Sequence, residues 1–374
     1  MASFIKRGAK WRYKINYTLD GEYKQKTKDG FRTKKEAQIA AAEAELILSQ
    51  GFDRNKGDTP FYEYYSEWAE LYRIGQSSKG TDYNYKICKD FILKYFKNKK
   101  INEITRTNYQ KAMNTFGETH SLKTVKLRHI YIKMCFEDAF NEGHIHKNPV
   151  YKISLSGKVA PKKEVDKFMD IADLKIIINS IKRKIEDEKN TTPQYPALLF
   201  MIATGVRYSE CAALTWDCVY DGYIEINKSW DHNYTKDFAK TKTKESNRKI
   251  TIDPETQLLL KEIKKRQCLE NDLNNPLNLV FNYSGVPVKI KTINNTLKKT
   301  CKENRIREIT CHGLRHTHGS ILLYEGVNIK YLSRRLGHSD IATTLNIYMH
   351  ILDEMEQKES RHVDEILEKL YKEK

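Results

Sequence analysis

The sequence predicts a multidomain, mainly α protein, with a small β-sheet plus one helix at the N-terminus, a helical middle domain and a mixed α+β C-terminal domain. Three observations carry this. The 374 residues exceed what one core usually organises, so two or three domains are expected. Alternation of aromatic or β-branched residues with charged ones, the strand period, is confined to the N-terminal stretch and a few short later runs. Elsewhere apolar residues recur three and four apart, the helical period.

The N-terminal module spans residues 1–55, and its first 35 residues hold eleven Lys/Arg against three Asp/Glu. WRYKINYTL and EYKQKTK are strand-like and flank Asp20-Gly21, a hairpin turn signal. The run GFRTKKEAQIAAAEAELILSQG then predicts an Ala-rich helix with Thr33 as N-cap, Glu36 completing a capping box, and Gly51 beyond its end. One sheet face must cover this helix, so the Lys/Arg face is expected to be open, either to a groove of DNA or simply to solvent. FDRNKGDTP, residues 52–60, reads as a linker.

Residues 60–150 predict a second domain of four or five helices, with stripes Tyr64, Trp68, Leu71 and Tyr85, Cys88, Ile92, closing at the helix-stopping KNPV. YKISLSGKVAPKKEVDKF lacks periodicity and predicts a basic linker over about residues 151–166. Residues 165–374 form the third domain, helical but interrupted by short strands around 219–230, 238–252 and 279–288.

Lys and Arg outnumber Asp and Glu by 66 to 49, a net charge of +17, which favours a polyanionic partner. No apolar run approaches the roughly 20 residues of a membrane-spanning helix, and MASFIKRGAKWRY lacks the apolar stretch of a signal peptide. The seven cysteines are odd in number, scattered and without a CxxC pair, so they read as reduced and mostly buried. A cytoplasmic protein with no membrane partner is expected.

Four stretches of the third domain carry chemistry. In LLFMIATGVRYSECAALTW, Leu198, Leu199 and Ile202 make a helix that Gly205 ends, Ser209 is placed to cap the next, and Arg207 is held at the junction, with Glu210 a possible partner. In AKTKTKESNRKITI, strand-like residues flank a polar turn, which puts Lys242 on a hairpin; Lys240 and Lys244 stand two residues to either side, and the register is open. In ITCHGLRHTHGS, Thr310 is an N-cap, and His312, Arg315 and His316 share one helical face. Two histidines four apart suit zinc, but HxxRH lacks the glutamate of HExxH, and an arginine beside the ligands repels a cation. In LGHSDIATTLNIYMH, Gly337 stops a helix, His338 follows, and Ser339 caps a helix striped by Ile341, Leu345, Tyr348 and Leu352.

Each stretch alone has a bland reading as surface or core. In this order, TGVRYSE, KTKTKESNRKI, HGLRHTHGS and LGHSDIATTLNIYMH together resemble the tyrosine recombinases. The region ending in NEGHIHKNPV is similar to that family's helical core-binding (SAM-like) domain, and the first fifty residues, with GFRTKKEA, to the arm-type DNA-binding domain of phage and conjugative-transposon integrases. The resemblance implies a catalytic set of Arg207, Lys242, His312, Arg315, His338 and Tyr348, with Tyr348 the nucleophile, His312 the base, Lys242 the general acid and His338 a phosphate ligand. His316, His318 and His350 match no catalytic role and read as packing or surface residues.

These residue types suit attack on a phosphodiester. Equatorial oxygens gain charge in the transition state, and arginine offers a bidentate cation that does not lose its proton. A phenol with a pKa of about 10 needs a base or a cationic pocket at neutral pH. Because a 3′-phosphotyrosine conserves the bond's energy, no cofactor and no metal are implied. The implied partners are double-stranded DNA at core and arm attachment sites, further copies of the chain in a homotetramer, an excision factor and a host DNA-bending protein. The alternatives are a type IB topoisomerase-like enzyme, or an inert DNA-binding protein on the same scaffold. The tail after the nucleophile holds eight Asp/Glu against five Lys/Arg, with a stripe of Val363, Ile366, Leu367 and Leu370 that predicts a helix packing either on its own domain or on a neighbour.

Overall fold

A computed structural model describes residues 2–19, 22–49, 54–160, 168–187, 192–241, 243–269 and 275–349, with 368 and 371. The chain folds as two compact units, residues 1–161 and 162–374. The Asp20-Gly21 turn, Gly51, Lys242, His350, Leu352 and the C-terminal stripe from Val363 to Leu370 lie outside the described residues.

The first unit opens with an antiparallel sheet of β1 (Ser3–Arg7), β2 (Lys10–Leu19) and β3 (Glu22–Phe31). Helix α1 (Lys34–Ser49) covers one face, burying Tyr13 and Ile15 against Ala41 and Ala44. Thr33 caps it by accepting from the Glu36 amide at 3.2 Å, while the Glu36 carboxylate reaches one residue further back than a capping box requires, to the Arg32 amide. Gly30, at φ +104°, accommodates the register shift that sets Trp11 against Phe31 but Arg12 against Asp29.

The expectation of a single open Lys/Arg face holds for half of the sheet. Residues paired across an antiparallel ladder share a face, so Arg7, Lys10, Arg12 and Lys14 lie on the open side, where Arg12 pairs with Asp29. Lys24, Lys26 and Lys28 are instead paired with Tyr17, Ile15 and Tyr13 and turn to the helix side. The lysines of β3 stand at alternate positions of the strand, and the hairpin register decides which side they take.

Five helices follow: α2 (Arg54–Gly57), α3 (Phe61–Tyr72), α4 (Lys79–Phe96), α5 (Arg106–Gly117) and α6 (Leu122–Asn141). Ser78, Thr105 and Ser121 cap α4, α5 and α6 through their hydroxyls. The core gathers Phe61, Tyr65, Trp68, Tyr85, Cys88, Ile92, Tyr109 and Phe136. Leu71, expected in the stripe, is 69% exposed, because the buried face of α3 is centred on Phe61, Tyr65 and Trp68 and Leu71 falls past its edge. The expected basic linker also begins later than position 151. Ile153 and Leu155 pack on the helical core, Gln110 exchanges hydrogen bonds with Ser154, and Gly117 and Gly157 let residues 156–158 lie against α5 and α6.

The second unit is built on α8 (Gln194–Thr204), apolar on all sides and packed against α7 (Ile171–Glu186), α11 (Ile290–Glu303) and α12 (Cys311–Tyr324). Helices α9 (Tyr208–Ala212), α10 (Pro254–Leu269) and α13 (Ile329–Leu336) and a last helix, α14, over 341–349 complete it. Its small antiparallel sheets join β4 (Val219–Tyr220), β5 (Tyr223–Ile226) and β8 (Arg248–Thr251), β6 (Lys228–Trp230) and β7 (Phe238–Lys240), and β9 (Asn282–Tyr283) and β10 (Val286–Pro287). AKTKTKESNRKITI is therefore not one hairpin. β7 pairs with β6 and β8 with β5, and the polar stretch crosses between the two sheets.

Six of the seven cysteines are buried and Cys268 is exposed, all as free thiols. No helix among the described residues is long and apolar enough to cross a membrane.

Candidate active site

Two helices end on left-handed glycines, Gly205 after α8 and Gly337 after α13, and the turns they make face each other. Arginines staple them. Arg207 is itself the N-cap of α9, so the expected cap Ser209 lies inside the helix; the Glu210 carboxylate accepts the Arg207 amide at 2.9 Å and its Nη1 at 2.8 Å. Arg207 Nη2 donates to the Gly337 carbonyl at 3.2 Å. Arg315, only 3% exposed on α12, donates to the Gly205 carbonyl at 2.8 Å and to the Leu336 carbonyl.

The other expected residues gather on the same turns. Thr310 caps α12 through Gly313, and His312 stands at its exposed start, its ring edge-on to that of His316 at 4.7 Å. His338 follows Gly337, and its Nδ1 shares a 2.7 Å hydrogen bond with the buried hydroxyl of Thr344. Asp340, not Ser339, caps α14, since its carboxylate accepts the Ala342 amide at 2.9 Å. Tyr348 is 1% exposed and packs with Leu323, Leu332 and Leu336. The buried face of α14 is Thr344 and Tyr348; Ile341 and Leu345, expected in the stripe, are exposed, because the helix docks on α12 and α13 through its hydroxyl-bearing side.

A cleft of about 410 Å³ opens over Arg207 and His338, lined also by Ser209, Thr241, Thr243 and Ser246. Thr241 and Thr243 flank Lys242 in the sequence, and Lys240 is exposed at the end of β7. Arg315 and Tyr348 are buried and do not line it. A larger cavity of about 630 Å³ between α7, α8 and α10 is lined by none of the five expected residues that are described.

The electrostatics are those of a site short of negative charge. Burial alone would raise the Glu210 carboxyl, but Arg248, Arg207 and Arg315 hold it at about 2. Burial, then the charge of Arg207, pulls Arg315 down to about 9 against the opposing pull of Glu210. Burial followed by Arg315, Arg207 and Arg248 takes His338 to about 3. His312 keeps solvent access, yet is lowered by desolvation first and by Arg315 and Arg207 after it. Burial pushes Tyr348 up to about 12, with Arg315 opposing. Three arginines thus surround one buried carboxylate, and each cation raises the cost of the next. An anion in the cleft relieves that cost.

Sequence reasoning missed Arg248, Thr344 and Gly319 here. For Arg248 the signal existed: in strand β8 it alternates with Ile250 toward the interior, and a cation on the buried face of a strand asks for a partner.

A fixed cluster of guanidiniums with a buried phenol within reach of its charge suits phosphoryl transfer. Comparison of the sequence with known families makes this specific: residues 161–355 match the phage integrase family, residues 4–47 an arm DNA-binding domain, and residues 60–116 the phage integrase N-terminal SAM-like domain. The chain belongs to the phage integrase family and is a tyrosine site-specific recombinase of the kind carried by mobile elements. It is 25% identical over 297 residues to the ICEBs1 integrase of Bacillus subtilis, covering 75% of this chain and 76% of that one. It is 26% identical over 390 residues to a XerC-like tyrosine recombinase of Caldanaerobacter subterraneus, covering 94% and 95%. Among solved structures the fold is shared with the Tn1549 transposon integrase bound to transposon right-end DNA, at a TM-score of 0.64, 20% identity and coverage of 77% and 94%. It is also shared with a lambda integrase tetramer bound to a Holliday junction, at a TM-score of 0.56, 15% identity and coverage of 86% and 89%.

Proposed function

We propose that Arg207, Lys242, His312, Arg315, His338 and Tyr348 form the catalytic set and that the substrate is double-stranded DNA. The observation that carries this is the convergence of three guanidiniums, those of Arg207, Arg248 and Arg315, on the single carboxylate of Glu210, with the phenol of Tyr348 close enough to Arg315 to be acted on by its charge. Tyr348 Oη attacks phosphorus and its proton passes to His312. The bond from phosphorus to the 5′ oxygen breaks, and that oxygen leaves as a hydroxyl with a proton from Lys242. Arg207 and Arg315 neutralise the non-bridging oxygens, and His338 donates to one of them from Nε2, since Nδ1 is engaged by Thr344. The product is a 3′-phosphotyrosine, which a second 5′-hydroxyl reverses. Residues 1–55 act as the arm-type DNA-binding domain, 60–150 as the core-binding domain and 165–374 as the catalytic domain. Four copies assemble on two sites, as the lambda integrase tetramer on a Holliday junction supports, with an excision factor and a DNA-bending protein setting direction.

The test is to trap the protein on a nicked suicide substrate, with and without EDTA, and to map the modified peptide. The reading requires DNA attached through its 3′ end to Tyr348 in both conditions. Attachment at another residue, or none, overturns it. Relaxation of supercoiled plasmid without pairing of sites would favour the topoisomerase-like alternative.

A further inference from the structure

Arg248 lies outside the six residues of the proposed catalytic set, yet more of the site's framework meets at it than at any described member of that set. Its Nε donates to the Arg335 carbonyl at 2.6 Å. Its Nη1 donates to the Ser246 carbonyl at 2.9 Å and to Glu210 Oε1 at 3.1 Å, and its Nη2 to Glu210 Oε2 at 2.9 Å. One guanidinium therefore ties the segment that follows Lys242, the start of α9 and the last turn of α13. It also covers the Gly337 turn: a β-carbon on Gly337 would stand 2.8 Å from Arg248 Nη1, so the guanidinium fills the space a side chain would take.

We propose that Arg248 is a positioning residue for strand cleavage, acting through Glu210 to fix the guanidinium of Arg207. The inference rests on the reading that Arg207 holds the scissile phosphate.

Arg248 is assigned no direct contact with the phosphate: unlike Arg315, whose guanidinium bonds only backbone carbonyls, it is ion-paired with Glu210 through both Nη atoms, and its side chain is 6% exposed. Glu210 is 3% exposed and accepts from both arginines with each of its oxygens, from Arg207 through amide and Nη1 and from Arg248 through both Nη atoms. Remove Arg248 and two acceptor sites on a buried carboxylate fall empty. Glu210 is then free to rotate toward its remaining partner, and Arg207 loses a fixed anchor. A buried ion pair is poor value as a stabiliser, since desolvation offsets most of the attraction, but it fixes geometry well. Lysine cannot substitute, because one ammonium cannot grip a carboxylate in a fork while also holding the Arg335 and Ser246 carbonyls.

The experiment is single-turnover cleavage of saturating suicide DNA by Arg248→Gln and Arg248→Lys, each made in the native chain and in Arg207→Ala. In the native chain both variants should lose on the order of 10²-fold in cleavage, with DNA affinity held within a few-fold. In Arg207→Ala the same change should cost no more than about 3-fold, since an anchor has no effect once its load is gone. DNA carrying a neutral methylphosphonate at the scissile position supplies a second readout: with less oxyanion charge to neutralise, the Arg248→Gln defect should shrink as the Arg207→Ala defect does. Equal losses in both backgrounds, or unchanged cleavage in a folded Arg248→Gln, would overturn the inference. If Arg248→Gln does not fold, Glu210→Gln, which keeps the shape, carries the same comparison. An Arg207→Ala protein that cleaves normally would overturn the reading of Arg207 itself, a different failure from that of Arg248.

Discussion

The phenol oxygen of Tyr348 rests on the α-carbon of Gly319, so closely that a β-carbon there would overlap it. Gly319 lies in the interior of α12, where glycine costs about 1 kcal/mol relative to alanine, so the residue stands against local preference. Its service is room for the nucleophile. Gly319→Ala should displace Tyr348 and loosen α14, seen as faster amide hydrogen exchange over 341–349, at a cost of about 1–3 kcal/mol from overpacking. Unchanged exchange would show that the tyrosine has slack the structure does not suggest.

Tyr348→Phe separates chemistry from packing. The ring is buried among leucines, and its hydroxyl lies against Gly319. Covalent DNA attachment should vanish, while the melting temperature stays equal or rises and DNA affinity changes little. A lower melting temperature would reveal a structural role for the hydroxyl.

Arg207→Lys and Arg315→Lys keep the charge and lose the fork. Each should lower cleavage by roughly 10²–10³-fold, the cost of one oxyanion donor. The two should differ in stability. Arg315 is buried and holds the carbonyls of Gly205 and Leu336, whereas the Arg207 side chain is 33% exposed. Calorimetry should show Arg315→Lys to be the less stable protein; equal melting would mean that Arg315 does not brace the two turns.

What the sequence displayed and what it hid divide along one line. Gly205, Gly337, Thr33 and Thr310 were legible because each acts within its own few residues, and the turns and caps they predict are present. The order of short motifs carried the family. The side of β3 that Lys24 to Lys28 take, the partner of β7 and the buried face of α14 were not legible, because each depends on a register or a docking partner remote in sequence. Glu210 was visible as a neighbour of Arg207, but its bond to Arg248 spans 38 positions. Ser209 and Ser339 were credible caps that lost to Arg207 and Asp340, each displaced by one or two residues.

The last prediction concerns acid. His318 packs on the α-carbon of Gly205, its Nδ1 bonds the Ile202 carbonyl at 3.0 Å, and its Nε2 accepts from Arg335 Nε at 3.2 Å. Both nitrogens are satisfied only in the neutral ring with the proton on Nδ1. Burial, then the charge of Arg335, lowers it from 6.5 to about 4, and His338 is lowered further, to about 3. In the unfolded chain both protonate near 6.5, so below that pH the unfolded state binds protons that the folded state refuses. Their contribution to stability is therefore complete above about pH 6.5 and is lost as the pH falls toward 4. Glu210 does not mask the effect above pH 4.5: its carboxyl is lowered from 4.5 to about 2, so its own contribution is lost only as the pH falls below about 4.5. The melting temperature of the DNA-free protein should fall steadily from pH 6.5 to 4.5, and His318→Gln, whose amide does not titrate, should flatten part of that slope. Parallel curves for the two proteins would mean that His318 is not the group that acid attacks.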